Sequence, residues 1–223
     1  MTGPRIGLAV LRKDLRLDFR SRDRIGHMLV FAALVVVLLS ITLQDARPRS
    51  PAWLPSLLWV VLMFTSLLGL SRSFQAETED GAIVSLVQVP CDRGWVFLGK
   101  TAANWIALVG VAAWGALLFA IFLEAPWAAA PGTLVGAGLL GTLGISIVGT
   151  LLSAMATSAR FREFLLPLLL FPFLLPVLVF SARIVADAID GGSPPGLWWG
   201  ALALYDWVFL LVGYFSFDYL LDE

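Results

Sequence analysis

An all-α integral membrane protein with six transmembrane helices is the fold class this sequence predicts. Three observations carry that expectation. Of 223 residues, 59% are hydrophobic and only 14% are charged, with a mean hydropathy of +0.88, where a soluble domain carries about 25% charge. Six apolar blocks are long enough to cross a hydrocarbon layer of about 30 Å, which takes roughly 20 helical residues. Polar residues concentrate between those blocks. Helix is the only candidate structure, because backbone polar groups in lipid must pair within their own segment, and the ten-residue alternation of a membrane barrel is missing.

The elements follow in order. Residues 1–25 are predicted to be a cytoplasmic, amphipathic, interfacial helix. At about 100° per residue, Arg5, Arg12, Lys13, Arg16 and Arg20 share one stripe, with Leu8, Leu11, Leu15 and Phe19 beside it. The basic stripe suits lipid headgroups. Asp14 and Asp18 interrupt the apolar arc, which a helix packed partly against protein explains better than one bound to lipid alone. Nucleic-acid binding is not expected of this arm. It carries no small-residue cleavage pattern, so the first apolar block is expected to stay in the protein.

The transmembrane domain, 26–217, places its spans near 26–43, 53–71, 102–123, 132–156, 164–182 and 197–217, with a tail at 218–223. Lys and Arg orient them. Twelve of fifteen fall on the side of the termini, leaving Arg47, Arg49 and Arg183 on the other. Both termini are therefore expected in the cytoplasm of a bacterial-type plasma (inner) membrane protein. Span 4 carries Gly136, Gly138, Gly141, Gly144 and Gly149, a spacing that lets helix backbones approach closely in lipid. Span 5 contains Pro167, Pro172 and Pro176, each of which removes a backbone donor. Asp190 to Gly196 reads as a turn.

The longest polar stretch, 73–90, joins spans 2 and 3. Acidic Glu77, Glu79 and Asp80 precede Gly81 and the apolar run Ala82 to Val87, a surface suited to docking a cytoplasmic partner; an ordinary connecting loop is the plainer alternative. Gly94 to Thr101 satisfies the P-loop expression G-x-x-x-x-G-K-[ST], yet that chemistry needs a small-residue loop whose backbone N–H groups reach phosphate. Trp95, Val96, Phe97 and Leu98 are too bulky for one, so Lys100 is expected to be an interfacial anchor at the start of span 3.

Asp206 sits in the middle of span 6. A carboxyl there costs roughly 2.5–3.5 kcal/mol on insertion scales and should face the bundle or water. It reads either as a titrating or path-lining group or as a satisfied partner of Tyr205, Tyr214 or a neighbouring helix. Cys91 and His27 are each the only residue of their kind, so no disulfide, thiol cluster or paired haem ligation comes from this chain alone. No catalytic residue, metal ligand or tightly bound cofactor is expected.

With the spans placed, the chain resembles the haem exporter protein B (CcmB) family, the membrane subunit of the cytochrome c-maturation ABC transporter. The resemblance rests on Leu70-Ser71-Arg72-Ser73-Phe74 through Glu77, Asp80-Gly81, Pro90 and Gly99-Lys100; on Gly141-Thr142-Leu143-Gly144 with Gly149-Thr150-Leu151-Leu152; and on Arg162-Glu163-Phe164 through Pro172 and Pro176. The first segment also looks like the wider ABC-2-type permeases; the proline-rich third is more specific. The resemblance implies a half-permease with no ATPase of its own, in which Phe74, Glu77, Asp80, Gly81 and Leu86 form the ATPase contact. It implies two ATPase subunits that bind the ATP, a second copy of this chain, a haem-handling membrane protein and a haem chaperone as partners, with haem as the handled ligand. An ABC-2-type exporter of a lipid, drug or glycan is the rival reading. A secondary carrier using Asp206 belongs to another class.

Overall fold

The computed structural model describes residues 3–21, 23–43, 50–79, 93–155 and 162–220, with side chains except at 19, 21, 23, 71–79, 162–167 and 218–220. The described residues form seven α-helices and two short 3₁₀ turns, Pro51–Trp53 and Trp127–Ala129. Helix α1 spans Gly3–Ser21, α2 Asp23–Thr42, α3 Leu54–Glu79, α4 Gly94–Phe122, α5 Pro131–Met155, α6 Arg162–Ile189 and α7 Gly196–Leu220. The last six are each long and apolar enough to cross a membrane. The chain is a multi-pass, all-α integral membrane protein.

Helices α3 and α5 are the most buried of the six, while α2, α4 and α7 are peripheral. The reason lies in the glycines of α5. A Cβ on Gly141 would stand 2.2 Å from the Trp59 ring of α3 and 2.6 Å from Ser181 Oγ of α6. One on Gly144 would meet Asp206 of α7 and Val177 of α6, one on Gly149 would meet Leu70 of α3, and one on Gly136 would meet Trp199 of α7. Four of the five glycines are therefore notches that let three neighbouring helices close on α5. Gly138 has nothing within 4 Å among the described residues and borders a cavity instead.

Two span boundaries differ from the sequence expectation. The third candidate span begins at Gly94 rather than 102, because Trp95 to Leu98 continue the apolar helix without a break. The fifth runs Leu168–Ile189 rather than 164–182, which moves Arg183 from the loop into the exposed side of α6. Its long stem can lie along the helix while the guanidinium reaches towards the helix end. The α6–α7 turn is as expected: Gly191 takes a φ of 81°, and its N–H and that of Gly192 donate to Ala188 and Asp187 carbonyls. A left-handed residue followed by this bond pair closes a helix end. Ser50 Oγ donates to Asp190 Oδ1 at 3.0 Å, tying that turn to the start of the α3 entry.

At the opposite end, the terminal helices meet the start of α4. Gly94 lies against Tyr214, Phe97 stacks obliquely on Phe217, and Gly3 of α1 lies against Trp95. Both ends of the described chain thus gather at one end of the bundle, around the helix that follows the connector between α3 and α4.

Candidate functional site

The connector that the sequence singles out lies partly outside the described residues. Helix α3 continues past the end of its apolar span at Leu70 as far as Glu79, so Phe74 and Glu77 have helical backbone. Asp80, Gly81 and Leu86 lie outside the described residues. What is described is the frame on either side of the connector, and that frame is built around α1.

Helix α1 presents Gly3, Gly7, Val10, Asp14 and Asp18 towards the bundle at spacings of three and four, one face of a helix. The two glycines permit backbone contact. A Cβ on Gly99 of α4 would lie 2.5 Å from the Gly7 carbonyl oxygen and 3.1 Å from Val10 Cβ; one on Gly7 would lie 2.9 Å from the Trp95 carbonyl. The two acidic residues then point into the bundle. Asp14 Oδ2 is 3.6 Å from Lys100 Nζ, whose residue is only 4% exposed. Lys100 is therefore not the interfacial anchor expected of it: α1 covers it, and a buried ammonium is held by a carboxylate rather than by headgroups. Asp18 accepts from Arg24. Burial pushes the Asp18 carboxyl up, and the Arg24 charge and hydrogen bond pull it only partly back.

From Arg24 the polar path turns inward. Arg24 Nη1 donates to Asn104 Oδ1 at 2.8 Å, and Asn104 Nδ2 donates to Thr150 Oγ1 at 2.9 Å. Four helices, α1, α2, α4 and α5, are thus linked by Asp18, Arg24, Asn104 and Thr150. The sequence reading passed over Asn104 and Thr150, although an amide inside the third apolar block is a visible signal of an interhelical bond. Replacing Asn104 with Leu is expected to destabilise the bundle by about 1–3 kcal/mol, because Arg24 then loses a buried acceptor. In the Arg24→Met background the same change should cost less, with a coupling of about 0.5–3 kcal/mol, read by thermal unfolding in detergent.

Asp206 sits in the bundle at 4% exposure, and neither carboxylate oxygen has a hydrogen-bond partner among the described residues. Tyr205, the neighbour that could have satisfied it, donates instead to the Phe173 carbonyl of α6. Neither Tyr205 nor any other described residue is a hydrogen-bond partner of Asp206. His27 is exposed at the start of α2, while its neighbour Met28 is buried against Gly69. Among the described residues no three His, Cys, Asp or Glu side chains converge as a metal site. A cavity of about 160 Å³ opens between α3, α4 and α5, lined by apolar residues including Leu58, Trp59, Leu62 and Ala116.

Sequence comparison gives the family. A family model for the CcmB protein matches residues 5–221. The chain belongs to the CcmB family. It is 31% identical over 186 residues to the heme exporter protein B of Paracoccus denitrificans, covering 83% of this chain and 85% of that protein. The heme exporter protein B of Rhodobacter capsulatus is 32% identical over 183 residues, 82% and 84% of the two chains. That of Pseudomonas aeruginosa is 29% identical over 199 residues, 86% and 87%. The CcmB match takes in α1 as well as the six spans, so the clamp on Lys100 falls within the family's extent.

Proposed function

We propose that this chain is the permease subunit of an ABC transporter for cytochrome c maturation, moving its helices in response to ATP hydrolysis in a separate subunit. The observation that carries the reading is the CcmB match over residues 5–221 together with relatives named as heme exporters across most of their length. Haem is on this reading the handled ligand, either delivered at the outer face or released there with a haem-loaded chaperone. Two ATPase subunits, a second copy of this chain and a haem-handling membrane protein complete the assembly.

Two features support the mechanical part. The connector 73–90 joins the ends of α3 and α4, and Phe74, Glu77, Asp80, Gly81 and Leu86 on it form the motor contact. Gly81 supplies a turn that a residue with Cβ resists. The excess of Lys and Arg on the side of the termini supports a cytoplasmic connector, on the side where ATP is. Helix α1 lies at the membrane surface with its exposed Arg5, Arg12, Arg16 and Arg20 towards headgroups and its Asp14 and Asp18 towards the bundle. Motion of the connector reaches the first turns of α4, which α1 grips, and passes through Arg24 and Asn104 to α5.

Affinity purification of the chain in mild detergent tests this. Co-purification of an ABC ATPase with haem-handling membrane proteins is the expected result. An ATPase accompanied by lipid or glycan enzymes would favour the ABC-2-type exporter of another substrate. Flux in liposomes containing this chain alone, with no ATPase, would overturn the motor-driven reading in favour of a carrier.

A further inference from the structure

We propose that Asp206 is an intramembrane proton-binding site, its carboxyl carrying a proton when α5, α6 and α7 are packed as they are here. The case begins with what surrounds it. Asp206 Oδ1 occupies the notch left by the missing side chain of Gly144, at 2.4 Å from where a Cβ would stand, and Val177 closes the same notch from α6. Both oxygens are buried and neither accepts a hydrogen bond among the described residues. One turn along α5, the Gly141 notch receives Ser181 Oγ, which is also buried without a partner. Positions three apart on a helix are neighbours on one face, so α5 faces two unpartnered polar groups from two different helices.

Among the described residues no cation offsets the carboxyl. Helix α5 has no ionisable side chain along its length, and the described charges of the span of α6 are Arg183 and Asp187, towards its far end with Arg183 exposed. On α4 the charged residue is Lys100, bound to Asp14. On α7 itself the Tyr205 hydroxyl donates its hydrogen bond to the Phe173 carbonyl, and Tyr214 packs on Gly94 at the end of the bundle. On α3 the polar neighbours Thr65 and Ser66 bond their own helix carbonyls. An isolated carboxylate in such surroundings is so costly that the group neutralises instead.

The ligand is a proton because the notch is full. The apolar cavity lies between α3, α4 and α5, and a smaller crevice lies beside Arg24 and Asn104; Asp206 borders neither, and Gly144 and Val177 stand against the carboxyl itself. A metal ion would need several further oxygen ligands, whereas a proton needs none. Parting α5 from α7 admits water to the notch, and the proton then leaves to it. The carboxyl therefore records whether the three helices are closed, independently of any motor contact on the connector.

Infrared spectroscopy of the full chain in lipid nanodiscs, labelled with carbon-13 at aspartate carboxyl groups, tests the site at neutral pH. The expected result is absorption by a protonated carboxylic acid that disappears in Asp206→Asn, the isostere of the neutral acid. Asp206→Glu, a carboxyl outside the label, should likewise remove it from the labelled region, and this variant decides the matter if Asp206→Asn fails to assemble. A labelled acid absorption unchanged by these substitutions, or loss of carboxylate absorption in its place, overturns the proposal. Because the spectrum needs no ATPase, it separates failure of this site from failure of the permease reading.

Discussion

Charge reversal at Glu77 and Asp80 is expected to abolish coupling to the ATPase subunit while leaving the helical bundle intact. None of the described residues that fill the notches of α5 belongs to 73–90, and substitutions away from buried features usually shift stability by no more than about 0.5 kcal/mol. Removing one partner of a hydrogen-bonded charge pair at an interface costs about 2–5 kcal/mol, roughly 30-fold or more in affinity. Placing Lys at both positions adds repulsion to that loss. The measurement is paired: ATPase recovered with the tagged permease, and cytochrome c maturation in cells, each against melting of the purified chain. Wild-type ATPase recovery and wild-type maturation in the double variant would remove these residues from the motor contact.

The two ends of the bundle were unequally legible. Six spans follow from hydropathy because lipid demands about 20 apolar residues wherever a helix crosses it, and the glycines of span 4 announce tight packing by composition alone. What composition hides is which neighbour fills each notch: nothing in the spacing of Gly141 and Gly144 says that Trp59, Ser181 and Asp206 will meet them. Helix α1 is the sharper case. Its apolar arc and basic stripe draw attention, yet the face that packs is Gly3, Gly7, Val10, Asp14 and Asp18, two of them glycine and two acidic. Hydrophobic periodicity is blind to such a face, and the two aspartates were its only outward sign. Lys100 was misplaced for the same reason, since a lysine at the edge of an apolar block reads as a headgroup contact until the carboxylate that buries it is known.

The second large effect concerns that hidden face, and it is a contrast within one helix. Gly99→Ala and Gly110→Ala place the same methyl group on α4, eleven residues apart. At Gly110 none of the described residues lies within 4 Å of the added atom, so the substitution should stabilise the helix by about 0.5–1 kcal/mol through backbone entropy. At Gly99 the atom would stand 2.5 Å from the Gly7 carbonyl oxygen. A backbone oxygen has no rotamer with which to retreat, so α1 must move. Overpacking of this kind costs about 1–3 kcal/mol. Displacing α1 also withdraws Asp14 from Lys100 and Asp18 from Arg24, leaving two cations near the membrane with fewer partners. The expected outcome is a lower melting temperature for Gly99→Ala than for wild type, a higher one for Gly110→Ala, and faster trypsin cleavage at the exposed basic residues of α1 in Gly99→Ala alone. Equal behaviour of the two variants would mean that α1 does not dock on α4, and the path from connector to α5 would lose its first step.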